Sequence, residues 1–246
     1  MPDELTLWNG IFNSLETAVS QSLYANKVPH YKSISRMKWI EKQKLLLSQA
    51  NSGKLLRTFS LLDHVNKSQS QNILDFGGGS GWGFKIVQQV CPETKYYILE
   101  TPESNSLFKD LWRHQDKSPT FCANHNEIYD SFEIFYVNSV LQYLEDDNYF
   151  VDLIRYFSPA KLVLDEIVSS DSSEFWSLQN HYDEKIPYRF LNLNELNKKI
   201  EGLGYKLSSS SIGLIDLPIK VKWEIKMASN QVMAPRPPMN LVFTKQ

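Results

Sequence analysis

Asp75, Glu100 and the run of glycines between them are the residues whose types and spacing could do chemistry. In ILDFGGGSGWGF, residues 73–84, five of the seven positions from Gly77 to Gly83 are glycine, half of the chain's ten. A strand that ends in glycines ahead of a helix lets backbone N–H groups come close to a ligand, at a helix terminus that favours polar or negative groups. Spacing separates the ligands such a loop could hold. A dinucleotide fingerprint needs glycines at i, i+2 and i+5, and from Gly77, Gly79 or Gly81 the third position is Trp82, Phe84 or Ile86. A phosphate loop needs Gly-Lys-Ser/Thr, whereas Gly83 is followed by Phe84 and Lys85. The nicotinamide and phosphate-loop readings therefore lose their motifs. What stays is Asp75 ahead of the loop and Glu100 closing the next strand-like run, 21 residues beyond Gly79. The paired acceptor oxygens of a carboxylate suit a vicinal diol.

This combination resembles motifs I and II of the class I S-adenosylmethionine-dependent methyltransferases: an acid, Gly-x-Gly-x-Gly, then an acid ending the second strand. The resemblance implies that Gly77, Gly79 and Gly81 pass beside the methionine and ribose portions of S-adenosylmethionine. It places Asp75 near the amino-acid end and Glu100 on the ribose hydroxyls. After the third strand the family sets a polar side chain beside adenine, where Asn124 fits and Asn126 is the alternative; a surface-loop asparagine is the competing reading. FYVNSVLQYLED, residues 135–146, is similar to the family's segment after strand four, with Asn138 and Ser139 at the carboxyl edge. Either could instead cap a helix.

A narrower resemblance begins at LWNGIFNSLETA, residues 7–18. It is similar to a family of bacterial methyltransferases that open with aromatic-x-Gly-x-aromatic-x-Ser-Trp-x-Glu-Ala and are associated with cell-surface polysaccharide gene clusters. Trp8, Gly10, Phe12, Ser14 and Ala18 keep register, while Leu15 and Thr17 replace the tryptophan and glutamate. The implied acceptor is a small molecule, nucleotide sugar or glycan, with Tyr24, His30 and Tyr31 as candidates for lining its pocket.

Methyl transfer from a sulfonium is an in-line displacement, so holding the partners in near-attack geometry supplies much of the catalysis. A base is needed when the acceptor arrives protonated, as a hydroxyl does. His181, Glu166 after the fifth strand, and Gln142 or Tyr143 after the fourth are candidates, although an amide cannot act as a base; Gln142 and Tyr143 are also candidates for binding the acceptor. Enzymes that methylate base amino groups carry a Pro-Pro-aromatic run after that strand, where this chain has Ser139, Val140 and Leu141. A methyltransferase-like binding or scaffold protein is the rival reading, and a nicotinamide oxidoreductase a more distant one.

Apolar positions from about Leu5 to about His64 recur at helical spacing. They predict a helical cap over residues 1–66, followed by a cofactor-binding domain over residues 67–246. From Asn72 onward, NILDF, YYILE, SFEIFYVNSV and AKLVLDEIV alternate with helices expected near 83–91, 104–114, 146–157 and 193–202. That alternation predicts an α/β fold with parallel strands and crossover helices. GYKLSSSSIG and MNLVFTKQ follow with no adequate helix between them, which predicts an antiparallel finish. With the resemblance, this becomes a Rossmann-like, seven-stranded, mostly parallel sheet. Ala234 to Pro238 holds three prolines and reads as a loop.

Composition bounds the partners. The chain has 246 residues and a formal charge of −2, with its lysines dispersed, so it offers no electrostatic footprint for nucleic acid or an anionic membrane. No apolar run approaches a membrane span, and the N-terminus lacks the pattern of a leader, which points to the cytoplasm. Cys91 and Cys122 are then expected as free, buried thiols. Cys122 and His125 are spaced like half a metal site with no second pair, so no metal is expected.

Overall fold

A computed structural model describes residues 8–21, 34–51, 60–170, 173–181, 184–213, 225–226, 232–233 and 237–246. The chain begins with β1 (Trp8–Phe12), α1 (Leu15–Gln21) and α2 (Ile34–Asn51). The alternating region follows: β2 (Asn72–Phe76), α3 (Trp82–Val90), β3 (Lys95–Leu99), α4 (Pro102–Lys109), β4 (Thr120–Cys122), β5 (Ile134–Asn138), α5 (Asn148–Phe157) and β6 (Lys161–Ile167). Then come β7 (Ser169–Ser170), β8 (Phe175–His181), β9 (Glu184–Asn192), α6 (Leu193–Glu201), β10 (Tyr205–Ile212), β11 (Ile225–Lys226), β12 (Val232–Met233) and β13 (Met239–Lys245).

Seven strands form the main sheet in the order β10-β13-β6-β5-β2-β3-β4. β13 runs antiparallel to both β6 and β10, and the pairs from β6 to β4 are parallel, so the last strand alone is reversed. The expected seven-stranded sheet with an antiparallel finish is present. Its central strands are apolar on both faces because helices cover both. Leu74, Phe135 and Leu162 face Phe150, Leu153 and Ile154 of α5 and Leu196 of α6. On the other side Ile73, Ile98 and Val163 join Phe84 and Val87 of α3 and Ala50 of α2. Each fully buried large aliphatic or aromatic side chain contributes roughly 1.5–3 kcal/mol of transfer free energy. Cys91 and Cys122 are free and buried in these layers.

Local signals set the helix ends. Thr101 caps α4, its hydroxyl accepting from Ser104 N–H at 3.3 Å, with Pro102 in the first turn where the missing N–H does no harm. Asn192 caps α6 by accepting from the N–H groups of Asn194 and Glu195. α5 ends at Ser158 in the left-handed conformation, φ +47°.

The expectation of a wholly helical N-terminal cap is corrected by β1, which joins a second sheet of order β1-β8-β9-β7. β1 escaped detection because Gly10 interrupts its short apolar pattern and its register with β8 shifts between Asn9 and Phe12. β9 was hidden by Pro187. Among the described residues β7 pairs with Leu191 and Asn192, and Pro187 has a strand neighbour on the β8 side alone, the edge setting in which a missing N–H is tolerated. Ala234 to Arg236 lie outside the described residues. Among the described residues, no helix is long and apolar enough to cross a membrane.

Candidate functional site

The glycine loop leaves β2 at Phe76 and turns at once. Gly77 N–H donates to Leu99 O of the adjacent β3 at 2.9 Å, and Gly81 N–H to Gly78 O at 3.1 Å. Gly77, Gly79 and Gly81 hold φ of +74°, +56° and +80°, which L-residues with side chains rarely adopt. Two of them are also closely approached. A Cβ at Gly77 would collide with the side chain of Val140, and one at Gly79 would lie 2.6 Å from Gln43 Oε1. Gln43, on α2, accepts from Ser80 N–H at 3.2 Å, and its main-chain oxygen accepts from Ser80 Oγ at 3.1 Å. Trp112 Nε1 completes the support by donating to Ser80 O at 2.8 Å.

Glu100 stands immediately beyond β3 and binds the loop to the next helix. Its Oε1 accepts from Gly79 N–H at 3.1 Å and its Oε2 from Thr101 N–H at 3.0 Å. Burial raises its pKa, and these two hydrogen bonds act in the opposite direction. Asp75 is 4% exposed and lies within the fold, accepting from Tyr96 OH at 2.7 Å. Burial pushes its pKa up to about 7, the Tyr96 hydrogen bond opposing and the charges of Glu100 and Asp165 adding.

The structure brings the post-strand residues to the same edge. Asn138 Nδ2 donates to Tyr136 OH at 2.9 Å, and Ser139 Oγ donates to Glu166 Oε2 at 2.8 Å. Neither caps a helix: the following short turn, Leu141–Tyr143, starts from Val140 with no side-chain cap. Gln142 is buried against the hydroxyl of Tyr188, and its Oε1 has no hydrogen-bond partner among the described residues. Tyr143 is half-exposed, donates to Gln179 Oε1 at 3.0 Å and sets its ring edge-on to Tyr188 at 5.4 Å. Asn124 is exposed, and its side-chain oxygen accepts from Asn126 N–H at 3.0 Å in a local turn. His181 ends β8 opposite Glu184; its side chain is outside the described residues, as are Tyr24, His30 and Tyr31.

Three contributors were not foreseen. Gln43 carries no signal in a helix of mixed polarity. Asp165 accepts from Ser60 Oγ and from Tyr136 OH at 2.9 Å; an acid inside the apolar run LVLDEIV could have marked it. Arg189 is 1% exposed and pairs with the buried Asp147, which Lys199 also reaches at 2.8 Å. Arg189 also lies 3.6 Å from Glu174 and donates to Leu141 O at 3.3 Å. It thereby ties the small sheet to the segment after β5.

No protein-family model matches the chain, and no curated protein matches it. Solved structures do. Burkholderia thailandensis 1,6-didemethyltoxoflavin-N1-methyltransferase, solved with 1,6-didemethyltoxoflavin and S-adenosylhomocysteine, is similar at TM-score 0.50 and 14% identity, over 92% of this chain and 99% of that one. The PH0226 protein from Pyrococcus horikoshii OT3 is similar at TM-score 0.53 and 8% identity, over 78% and 89%. The pyocyanin biosynthetic protein PhzM is similar at TM-score 0.51 and 13% identity, over 78% of this chain and 56% of its own, so this chain spans little more than half of PhzM's length. With its last strand alone reversed and inserted between β10 and β6 of an otherwise parallel sheet, the chain has the Rossmann-like fold of class I methyltransferases.

Proposed function

We propose that this protein is a cytoplasmic S-adenosylmethionine-dependent methyltransferase acting on a small, sugar-related acceptor. The observation that carries the reading is Glu100, whose two carboxylate oxygens join Gly79 of the glycine loop to Thr101, the residue that caps α4. A carboxylate held in this way retains lone pairs for a diol, because each oxygen can accept more than one hydrogen bond. The left-handed loop before α3 supplies a backbone cradle at a helix N-terminus. The shared fold of a methyltransferase solved with S-adenosylhomocysteine supports the assignment.

On this reading Gly77, Gly79, Gly81 and Glu100 hold the cofactor, which supplies an electrophilic methyl group. Asp75 acts from beneath the loop, and Asn138 and Ser139 border it at the carboxyl edge. Residues 1–66 serve as a cap and residues 67–246 as the cofactor-binding domain, the first joined to the second where Gln43 meets Ser80 and where β1 pairs with β8. Gln142 and Tyr143 face the acceptor side. Glu100→Ala is expected to weaken S-adenosylhomocysteine binding by at least about tenfold, the scale of losing hydrogen bonds to a charged group. Calorimetry finding wild-type affinity in a folded variant would remove Glu100 from the site.

A further inference from the structure

Among the described residues, three non-glycine positions have positive φ: Ser139 at +53°, Ser158 at +47° and Glu166 at +55°. Ser158 is accounted for by ending α5. Ser139 and Glu166 cap nothing, and they are bonded to each other across β5 and β6. Such conformations persist where surrounding structure imposes them, and they cluster at functional sites.

The cause at Glu166 is a bulge. β13 pairs Met239 with Ile167 and Leu241 with Leu164, so Asp165 and Glu166 together oppose Asn240. Glu166 N–H donates to the side-chain Oδ1 of Asn240 at 3.0 Å. A bulge breaks the two-residue alternation of a strand and re-aims a side chain. Asp165 is thereby committed to Tyr136 and Ser60, while the carboxylate of Glu166 meets Ser139. Ser139 is followed by Val140, the side chain that fills the space at Gly77. Two residues therefore connect Glu166 to the glycine loop. Among the described residues Glu166 forms no ion pair, and its Oε1 has no hydrogen-bond partner. Charged and titratable groups that bear on it are Asp165 on β6, Lys42 on α2 and Tyr188 on β9.

We propose that Glu166 is the general base for a hydroxyl acceptor and that Ser139 is the positioning residue that holds its carboxylate. The inference rests on the methyltransferase reading. The acceptor O–H bond breaks and its proton passes to Glu166 Oε1. The acceptor oxygen forms a bond to the methyl carbon as the carbon–sulfur bond of S-adenosylmethionine breaks, leaving the electron pair on sulfur. A methyl ether and S-adenosylhomocysteine result, and Glu166 returns the proton to solvent. Burial raises the pKa of Glu166, with the Ser139 hydrogen bond and Lys42 opposing and Asp165 adding, which makes it a better base than an exposed carboxylate.

The test uses the full chain, radiolabelled S-adenosylmethionine, a panel of hydroxylated aromatics and hexoses, and matched amines. Glu166→Gln is expected to lower kcat on the best hydroxyl probe by about 100-fold or more while S-adenosylhomocysteine affinity stays within about twofold. In Ser139→Ala the acid limb of the kcat profile should move to higher pH, because a hydrogen bond that lowers the Glu166 pKa is lost. Calorimetry gives a second readout: binding of the same hydroxyl probe to the S-adenosylhomocysteine complex should strengthen as Glu166 ionises, and Glu166→Gln should abolish that pH dependence. Retained kcat with an unchanged acid limb in Glu166→Gln overturns the proposal, as does wild-type transfer to no hydroxyl probe while S-adenosylhomocysteine binds. Failure to bind S-adenosylhomocysteine removes the underlying methyltransferase reading instead.

Discussion

The two sides of the carboxyl edge are assembled in different ways. On the β2–β3 side, the loop from Gly77 to Gly81 is closed by backbone bonds, and the farthest of its acid contacts, Glu100 to Gly79, spans 21 residues. On the β5–β6 side, contacts join Asn240 to Glu166 across 74 residues and Ser60 to Asp165 across 105, and in the small sheet Asn9 meets Asn180 across 171. The first draws its support from shorter spans, the longest side-chain hydrogen bond to the loop being that of Gln43 with Ser80 across 37 residues. The second exists only after the whole domain and the small sheet have assembled.

Stability and ligand affinity should therefore separate between the two sides. The largest separation is expected for Arg189→Met, which leaves the buried Asp147 with Lys199 alone. Removing one member of a buried pair costs about 3 kcal/mol or more. Urea unfolding should show that loss while S-adenosylhomocysteine affinity in the folded variant is unchanged; an equal loss of affinity would mean that the two sides are one cooperative unit.

Asp75 tests the loop side through pH. Its folded pKa of about 7 lies above the unfolded value, so between about pH 4 and 7 the folded state binds more protons and stability falls as pH rises. Asp75→Asn removes that dependence. The stability difference between wild type and variant should change by about 1 kcal/mol from pH 6 to pH 7, in the variant's favour. A parallel pH course for the two proteins would show that Asp75 ionises normally. The smallest effect belongs to Tyr143→Phe, which deletes a half-exposed hydrogen bond to Gln179 and should cost about 0.5 kcal/mol of stability with no change in cofactor affinity. A larger loss would make that contact a main attachment of the small sheet.

The same contrast explains what was legible in the sequence. Strands such as NILDF and AKLVLDEIV, buried on both faces, advertise themselves as apolar runs between helical segments, and Asp75, the glycines and Glu100 stand in register at their ends. The second sheet was hidden because β1 carries Gly10 and an irregular register, β9 carries Pro187, and β7 is two residues long. Glu166 could be named from its place near the end of the run AKLVLDEIV, which the structure puts inside β6. Its aim could not, because the bulge depends on Asn240 lying opposite. Ser139 and Asn138 were open to a capping role until the following turn proved to start without one.

β1 also sets an order for events during synthesis. Phe12 pairs with Trp176 and Trp8 with Gln179, so the first strand of the described chain leaves the ribosome about 170 residues before its partner does. At translation rates of roughly 5–20 residues per second, that interval is on the order of ten seconds. Strands β2 to β6 can meet their parallel neighbours within it, whereas Trp8 must wait, its indole outside the aromatic cluster of Tyr188 and Phe190 that finally buries it. The nascent chain thus completes most of its glycine-loop side before its small sheet can begin to form.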